Sequence, residues 1–151
     1  MALFPIHRCA GCNASSVSSK LFSCSASEVV YYCGRDHQAS DRDAHKWACN
    51  AIKKSQKRLD QEETTLRSQP GDGLTPPNLF EEHAGHFWGI AVTLDYMKAR
   101  YALVGVLLKF KTYAAVEAAY GHTMEMLRLC RGENMGVHDL VPALALRLGR
   151  D

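Results

Sequence analysis

CAGCNASSVSSKLFSCSASEVVYYCGRDHQASDRDAHKWAC, residues Cys9 to Cys49, decides how the chain is built. Five of the six cysteines fall inside it, together with His37 and His45. Cys9-Ala10-Gly11-Cys12 is a knuckle in which Gly11 permits the tight turn that aims both sulfurs at one ion. Cys33 and His37 follow at an offset of four, and His45 and Cys49 repeat it. On a helix that offset puts two side chains on one face. Such a pair, joined by a knuckle from elsewhere, can complete a tetrahedral Zn²⁺ site. The segment carries few large apolar residues, so burial alone cannot hold it and a staple is required. A basic leader with an apolar core is missing at the start, which favours metal over disulfides and an intracellular setting. Glu28-Val29-Val30-Tyr31-Tyr32 is β-rich and predicts one short strand ending at Cys33.

The full string is Cys9-x2-Cys12-x11-Cys24-x2-Ser27-x5-Cys33-x3-His37-x7-His45-x3-Cys49. It resembles the MYND zinc finger, an eight-ligand cross-brace, and Val30-Tyr31-Tyr32-Cys33, His37-Gln38 and His45-Lys46 match that family's surroundings. The resemblance implies one zinc on Cys9, Cys12, Cys33 and His37, and a second on Cys24, His45 and Cys49. Two positions depart from the family. His37 replaces a cysteine, which keeps an ordinary Cys₃His set. Ser27 stands where the fourth ligand of the second site belongs, so a degraded structural site is expected there rather than a catalytic one. Fingers of this family dock short proline-containing peptides of the PxLxP kind through a strand edge and a shallow groove. Carried over, the peptide contacts are Val30, Tyr31, Gln38 and Arg42, with Arg42 where the family has a tryptophan and Trp47 two residues after His45.

Beyond the finger the chain reads as helical, so the expected fold is a small zinc-stabilised cross-brace finger followed by an all-α helical-hairpin region. The expected division is a finger over 1–50, a helix with a Pro/Gly linker over 51–75, and a helical region over 76–151 that loosely resembles tetratricopeptide hairpins. Ala48, Ile52, Leu59 and Leu66 set a helix from Asp43 that stops before Gln69-Pro70-Gly71-Asp72-Gly73. Asn78 and Glu81 form a candidate capping box. A helix follows over Asp95–Phe110, with Met97, Tyr101, Val104, Leu107 and Leu108 on one side. Thr112 caps the next, which presents Val116, Tyr120, Met124, Leu127 and Cys130. Asp139 caps the last, with Leu140, Leu144 and Leu148 apolar and Pro142 in its first turn. Because a helical array needs a polar end cap, this last helix either docks back on the others or belongs to a longer array, and the second is the expectation.

Composition excludes several functions. The formal net charge is +2, with ten basic to seven acidic residues over 1–69 and eight to nine over the rest. That balance does not predict a nucleic-acid-binding face. No apolar run approaches the roughly 20 residues of a membrane span. The expected function is a zinc-binding protein–protein interaction adaptor, not an enzyme, with a protein or peptide partner and a possible place in transcriptional regulation. Lys53-Lys54-Ser55-Gln56-Lys57-Arg58 supports an alternative, a nucleic-acid-associated regulator, although a solvated helix face explains it as well. A SET-type methyltransferase remnant is the third alternative, but nothing after Cys49 resembles that domain. His83 and His86 read as surface or packing residues, and Cys130 as a small core residue.

Overall fold

A computed structural model describes residues 6–132 and 135–150. Among the described residues, two strands and five α-helices follow one another: β1 Phe22–Ser23, β2 Tyr31–Tyr32, α1 Arg35–Arg67, α2 Leu79–Glu82, α3 Leu94–Leu107, α4 Tyr113–Leu129 and α5 Val137–Arg147. Short 3₁₀ turns at Phe87–Gly89 and Ala91–Thr93 lead into α3. The strands pair antiparallel, Phe22 opposite Tyr32 and Ser23 opposite Tyr31. α1 packs on α3, α3 on α4 and α4 on α5.

The helix α1 is longer than its apolar periodicity suggests. It begins at Arg35, eight residues before Asp43, and runs 33 residues without a break, about 50 Å at 1.5 Å per residue. Apolar periodicity fails over its first turns because its inward positions there are His37, Asp41 and His45, not aliphatic residues. Tyr32, 2% exposed, donates to Asp41 at 2.6 Å and ties β2 to this part of the helix. Further along, Ala48, Ile52, Leu59 and Leu66 are buried as expected. One helix thus carries finger residues at its start and the tail's core at its end.

The tail's core is closed by aromatic edges, with Phe80, Phe87 and Tyr96 at 5.1–6.1 Å between ring centres. α3 is buried at Tyr96, Met97, Ala99, Arg100, Leu103, Val104 and Leu107, a broader face than the expected stripe. Arg100, 9% exposed, lies on the Tyr96 hydroxyl, 2.7 Å from His122 Nδ1 and 3.9 Å from Glu63. Burial, then the neighbouring guanidinium, holds the His122 imidazole down to about 4, so it is a neutral acceptor near pH 7. α1, α3 and α4 therefore meet at one polar cluster. His122 has partners that the sequence did not reveal.

Three local expectations change. Asn78 makes no side-chain cap; it sits left-handed at φ 52° and donates to Glu82 at 3.1 Å instead. α4 buries Ala115, Val116, Ala119, Thr123, Met126 and Leu129, while Met124 is 42% exposed. The buried face includes the small Ala115, Ala119 and Thr123 beside Val116, Met126 and Leu129, so it is rotated from a stripe drawn through the large residues alone. α5 starts after Gly136 at φ 72°, so Asp139 lies in its first turn and Pro142 inside the helix. The last helix docks back on the one before it, the first of its two expected placements: Leu144 and Leu148 are buried and α5 packs on α4.

Thr112 behaves as expected and does more. Its hydroxyl accepts from Ala115 N at 3.2 Å, capping α4, and donates to the Val29 carbonyl at 2.7 Å. That second bond joins the finger to the helical tail. Replacing Thr112 by Val removes a cap and leaves a half-buried carbonyl unpaired. A loss of about 2 kcal/mol is expected, read as a lower midpoint in urea with the same slope.

Candidate metal centre

The first group of donors forms where the N-terminal knuckle meets the start of α1. Cys9 donates its N–H to Ala14 O at 2.8 Å and accepts at its carbonyl from Asn13 at 2.8 Å, which folds the Cys9–Cys12 knuckle back on itself. Ala10 N donates to Tyr31 O at 2.9 Å and lays the knuckle beside β2. Cys33 follows β2 directly, and His37 lies four residues on, in the first turn of α1. The result places Cys12 Sγ 3.6 Å from Cys33 Sγ, and His37 Nδ1 2.9 Å from Cys33 Sγ and 3.5 Å from Cys9 Sγ. With Zn–S at about 2.3 Å, two sulfurs on a tetrahedral ion stand about 3.8 Å apart. The observed spacing fits that figure.

Gly11 has a sharper reason than turn flexibility. A Cβ at position 11 would lie 2.7 Å from His37 Cβ and 2.8 Å from its Cγ. The knuckle backbone rests against the imidazole. A Gly11→Ala chain is expected to push His37 off its donor position and weaken metal binding at this group by tenfold or more, measured by competition with a chromogenic chelator.

The second group lies between the β1–β2 turn and the next stretch of α1. Cys24 and Cys49, both buried, have sulfurs 3.8 Å apart, and the His45 and Cys49 side chains are one helical turn apart. Ser27, 4% exposed, holds its hydroxyl 3.4 Å from His45 Nε2. His45 is flanked edge-on by Tyr32 at 6.3 Å and by Phe110 at 6.1 Å. Phe110 comes from the turn between α3 and α4, so the helical tail walls this group. No spacing signal in the sequence points to it.

Electrostatics favour a cation in both places. Burial alone would raise the Cys9 thiol, but the N–H groups of Cys33, Cys12 and Gly11 bring it down to about 6. Burial likewise opposes ionisation of Cys24, and the N–H groups of Ser27 and Ala26 with the His45 side chain bring it to about 6. The second thiolate in each group then suffers. Cys33 is pushed up to about 11, first by its contact with Cys12, then by burial and Cys9. Burial, followed by Cys24, pushes Cys49 up. Sulfurs packed this closely cannot all ionise without a positive charge among them, and a metal ion reverses that balance.

Among the described residues, Cys9, Cys12, Cys33 and His37 form one group and Cys24, His45 and Cys49 another, with donor atoms in each within 4.8 Å. Both groups could hold zinc. The pairs alternate along the chain, first with third and second with fourth, which is a cross-brace. Residues 8–49 match the family model described as the MYND finger. This segment is a MYND finger. No curated protein and no solved structure matches the chain. MYND fingers are in general protein–protein interaction modules rather than catalytic ones, and no helix among the described residues is long and apolar enough to cross a membrane.

The residues carried over as peptide contacts do not stand together. Gln38 and Arg42 line a groove of about 500 Å³ on α1, facing Ser25 and Ala26 in the β1–β2 turn. Val30 and Tyr31 lie outside it. Val30 is 5% exposed and Tyr31 stacks on His7 at 4.1 Å. Nor does β2 offer a free edge. β1 pairs with one side, Cys9 bridges to Tyr31 on the other, and the Val29 and Val30 carbonyls accept from Thr112 and Cys24. β1 is the edge strand of this MYND finger, with the Phe22 side chain 54% exposed.

Proposed function

We infer that the chain is a zinc-dependent adaptor whose MYND finger docks a short proline-containing peptide of a partner protein, within the cell and in a regulatory, transcriptional setting. The observation that carries this is the groove beside the second donor group. Gln38 and Arg42, two of the four residues that the family resemblance implies, line it together with Cys24, Ser25 and Ala26, which directly follow β1. An extended peptide can add to β1 through main-chain hydrogen bonds and set side chains into the groove, the ordinary form of strand addition. No carboxylate lines the groove to serve as a general base beside the metal donors, which supports binding rather than catalysis. The use of five cysteines as clustered donors, not disulfides, supports an intracellular setting.

The basic run Lys53–Arg58 lies on an exposed face of α1, as a solvated helix face does. The helical tail then serves as a rigid mount: it shares α1 with the finger, walls His45 with Phe110 and holds Val29 through Thr112.

Fluorescence anisotropy with labelled PxLxP peptides tests the proposal. Binding is expected in the zinc-loaded protein, lost on chelation, and weakened about tenfold, near 1.4 kcal/mol, by Gln38→Ala or Arg42→Glu. Equal binding by these variants and the parent chain would refute the groove as the docking place.

A further inference from the structure

One face of α1 carries charge in a pattern that packing does not explain. Arg35, Arg42, Lys46, Lys53 and Lys57 are all exposed. They stand seven, four, seven and four residues apart. At 3.6 residues per turn that spacing sets them on one line along the helix, within about 60° of one another. Ala48, Ile52 and Leu59, which α1 buries, lie about a third of a turn away. Of the run Lys53–Arg58, only Lys53 and Lys57 belong to the line, and Lys54 and Arg58 stand off it. Asp60, three residues past Lys57, is the first acid on it.

Among the described residues, none of these five cations forms an ion pair. Arg35, Arg42 and Lys46 line the groove of about 500 Å³, and no Asp or Glu shares that lining. Lys53 and Lys57 continue the line past the groove, toward the C-terminal end of α1. Arg35 to Lys57 is about 33 Å at 1.5 Å per residue, the reach of about ten extended residues at about 3.3 Å each. Steps of four and seven residues are about 6 and 10 Å, no longer than the Debye length of about 10 Å at 0.1 M salt. The five charges therefore act on a neighbour as one field, and a chain rich in Asp or Glu complements it. Nucleic acid has the same sign but fits less well. The groove lining offers no Phe, Tyr or Trp for a base to stack on, and a net charge of +2 lacks the Lys/Arg excess of a nucleic-acid binder.

We propose that the partner peptide has an acidic flank: its core sits in the groove, and a run of Asp or Glu beside the core lies along Lys53 and Lys57. This rests on the docking of a peptide in that groove and adds the chemistry of what adjoins the core. Each exposed ion pair contributes little alone. The row as a whole speeds association and selects partners by charge. The flank belongs to one end of the peptide, because α1 begins at Arg35 and the line leaves the groove in one direction only.

Fluorescence anisotropy on the full zinc-loaded chain tests this with four probes: a neutral PxLxP peptide, the same peptide with a run of glutamates before it, the same with the run after it, and a single-stranded oligonucleotide. One tailed peptide is expected to bind about tenfold tighter than the neutral one at low salt, with most of the gain lost at about 0.5 M salt. Lys53→Gln with Lys57→Gln is expected to remove the gain and leave the neutral peptide's affinity as in the parent chain, since neither residue lines the groove. Native mass spectrometry checks that the variant keeps the parent's zinc content. Lys57→Glu alone, eight residues past Cys49, repeats the test farther from the metal donors. A gain that survives these variants, or that is equal for both tails, would reduce the row to general attraction and overturn the proposal. An oligonucleotide that binds tighter than either tailed peptide, and loses that binding in the variant, would assign the row to nucleic acid and overturn it too. A bound neutral peptide with no gain from either tail would overturn the acidic flank alone. Failure of every peptide to bind would overturn the docking reading beneath it.

Discussion

Stripping the protein with a strong chelator is expected to unfold residues 8–33 while the helices past the middle of α1 stay formed. The finger has little else to hold it. Val29, Val30 and Tyr32 are its large buried side chains, beside Cys9, Cys24 and Cys49, and its sheet is two residues wide in each strand. Structural zinc contributes about 10–16 kcal/mol to finger-sized folds, as large as the whole net stability of an ordinary domain, about 5–15 kcal/mol. The tail has its own support. Ile52, Leu59 and Leu66 of α1 are buried with the α3 and α4 core, and their burial owes nothing to metal. Hydrogen exchange should therefore show amide protection lost across the finger and kept at Tyr96–Leu107 and Ala115–Leu129. Far-ultraviolet circular dichroism should keep most of its helical signal. Uniform loss of protection across both parts would show that the tail cannot stand without the finger.

Leu59→Ala is expected to have the opposite effect. Leu59 is 2% exposed on α1, the helix that packs on α3. Truncating a buried leucine costs about 3–5 kcal/mol once the cavity is counted. At about 2–4 °C per kcal/mol for a chain of this size, the melting temperature of the tail should fall by roughly 10 °C. Metal content should not change, because Leu59 lies ten residues beyond Cys49 along the helix. Calorimetry for the melting and native mass spectrometry for the ions read the two effects separately. A Leu59→Ala chain that lost metal in step with stability would contradict the division of labour along α1.

The metal donors were legible in the sequence because their chemistry is rare and their spacing is set by covalent geometry. Cys9, Cys12, Cys33 and His37 converge as the knuckle and the four-residue offset require. What the sequence hid depends on contacts between distant segments. β1 is two residues long and reads as loop without its partner Tyr31–Tyr32. Phe110 looks like the end of a helix and instead walls His45. Thr112 announces a helix cap but not its bond to Val29, 83 residues away. The same reason defeats the strand-edge reading. Val29–Tyr32 has the composition of an edge strand, yet Cys9 and Phe22–Ser23 already occupy both of its sides. Helix faces were legible where large aliphatic residues make the contact, as along Ile52, Leu59 and Leu66, and not where Ala115 and Ala119 do. A periodicity of large residues cannot see a face whose value lies in being small.

All of this stands on metal in the finger, and the most direct measurement is the intact mass under native conditions of protein purified without added zinc or chelator. Two zinc ions per chain, falling to none after acid denaturation, is the expected result. A chain that carries no zinc would contradict the account at its base.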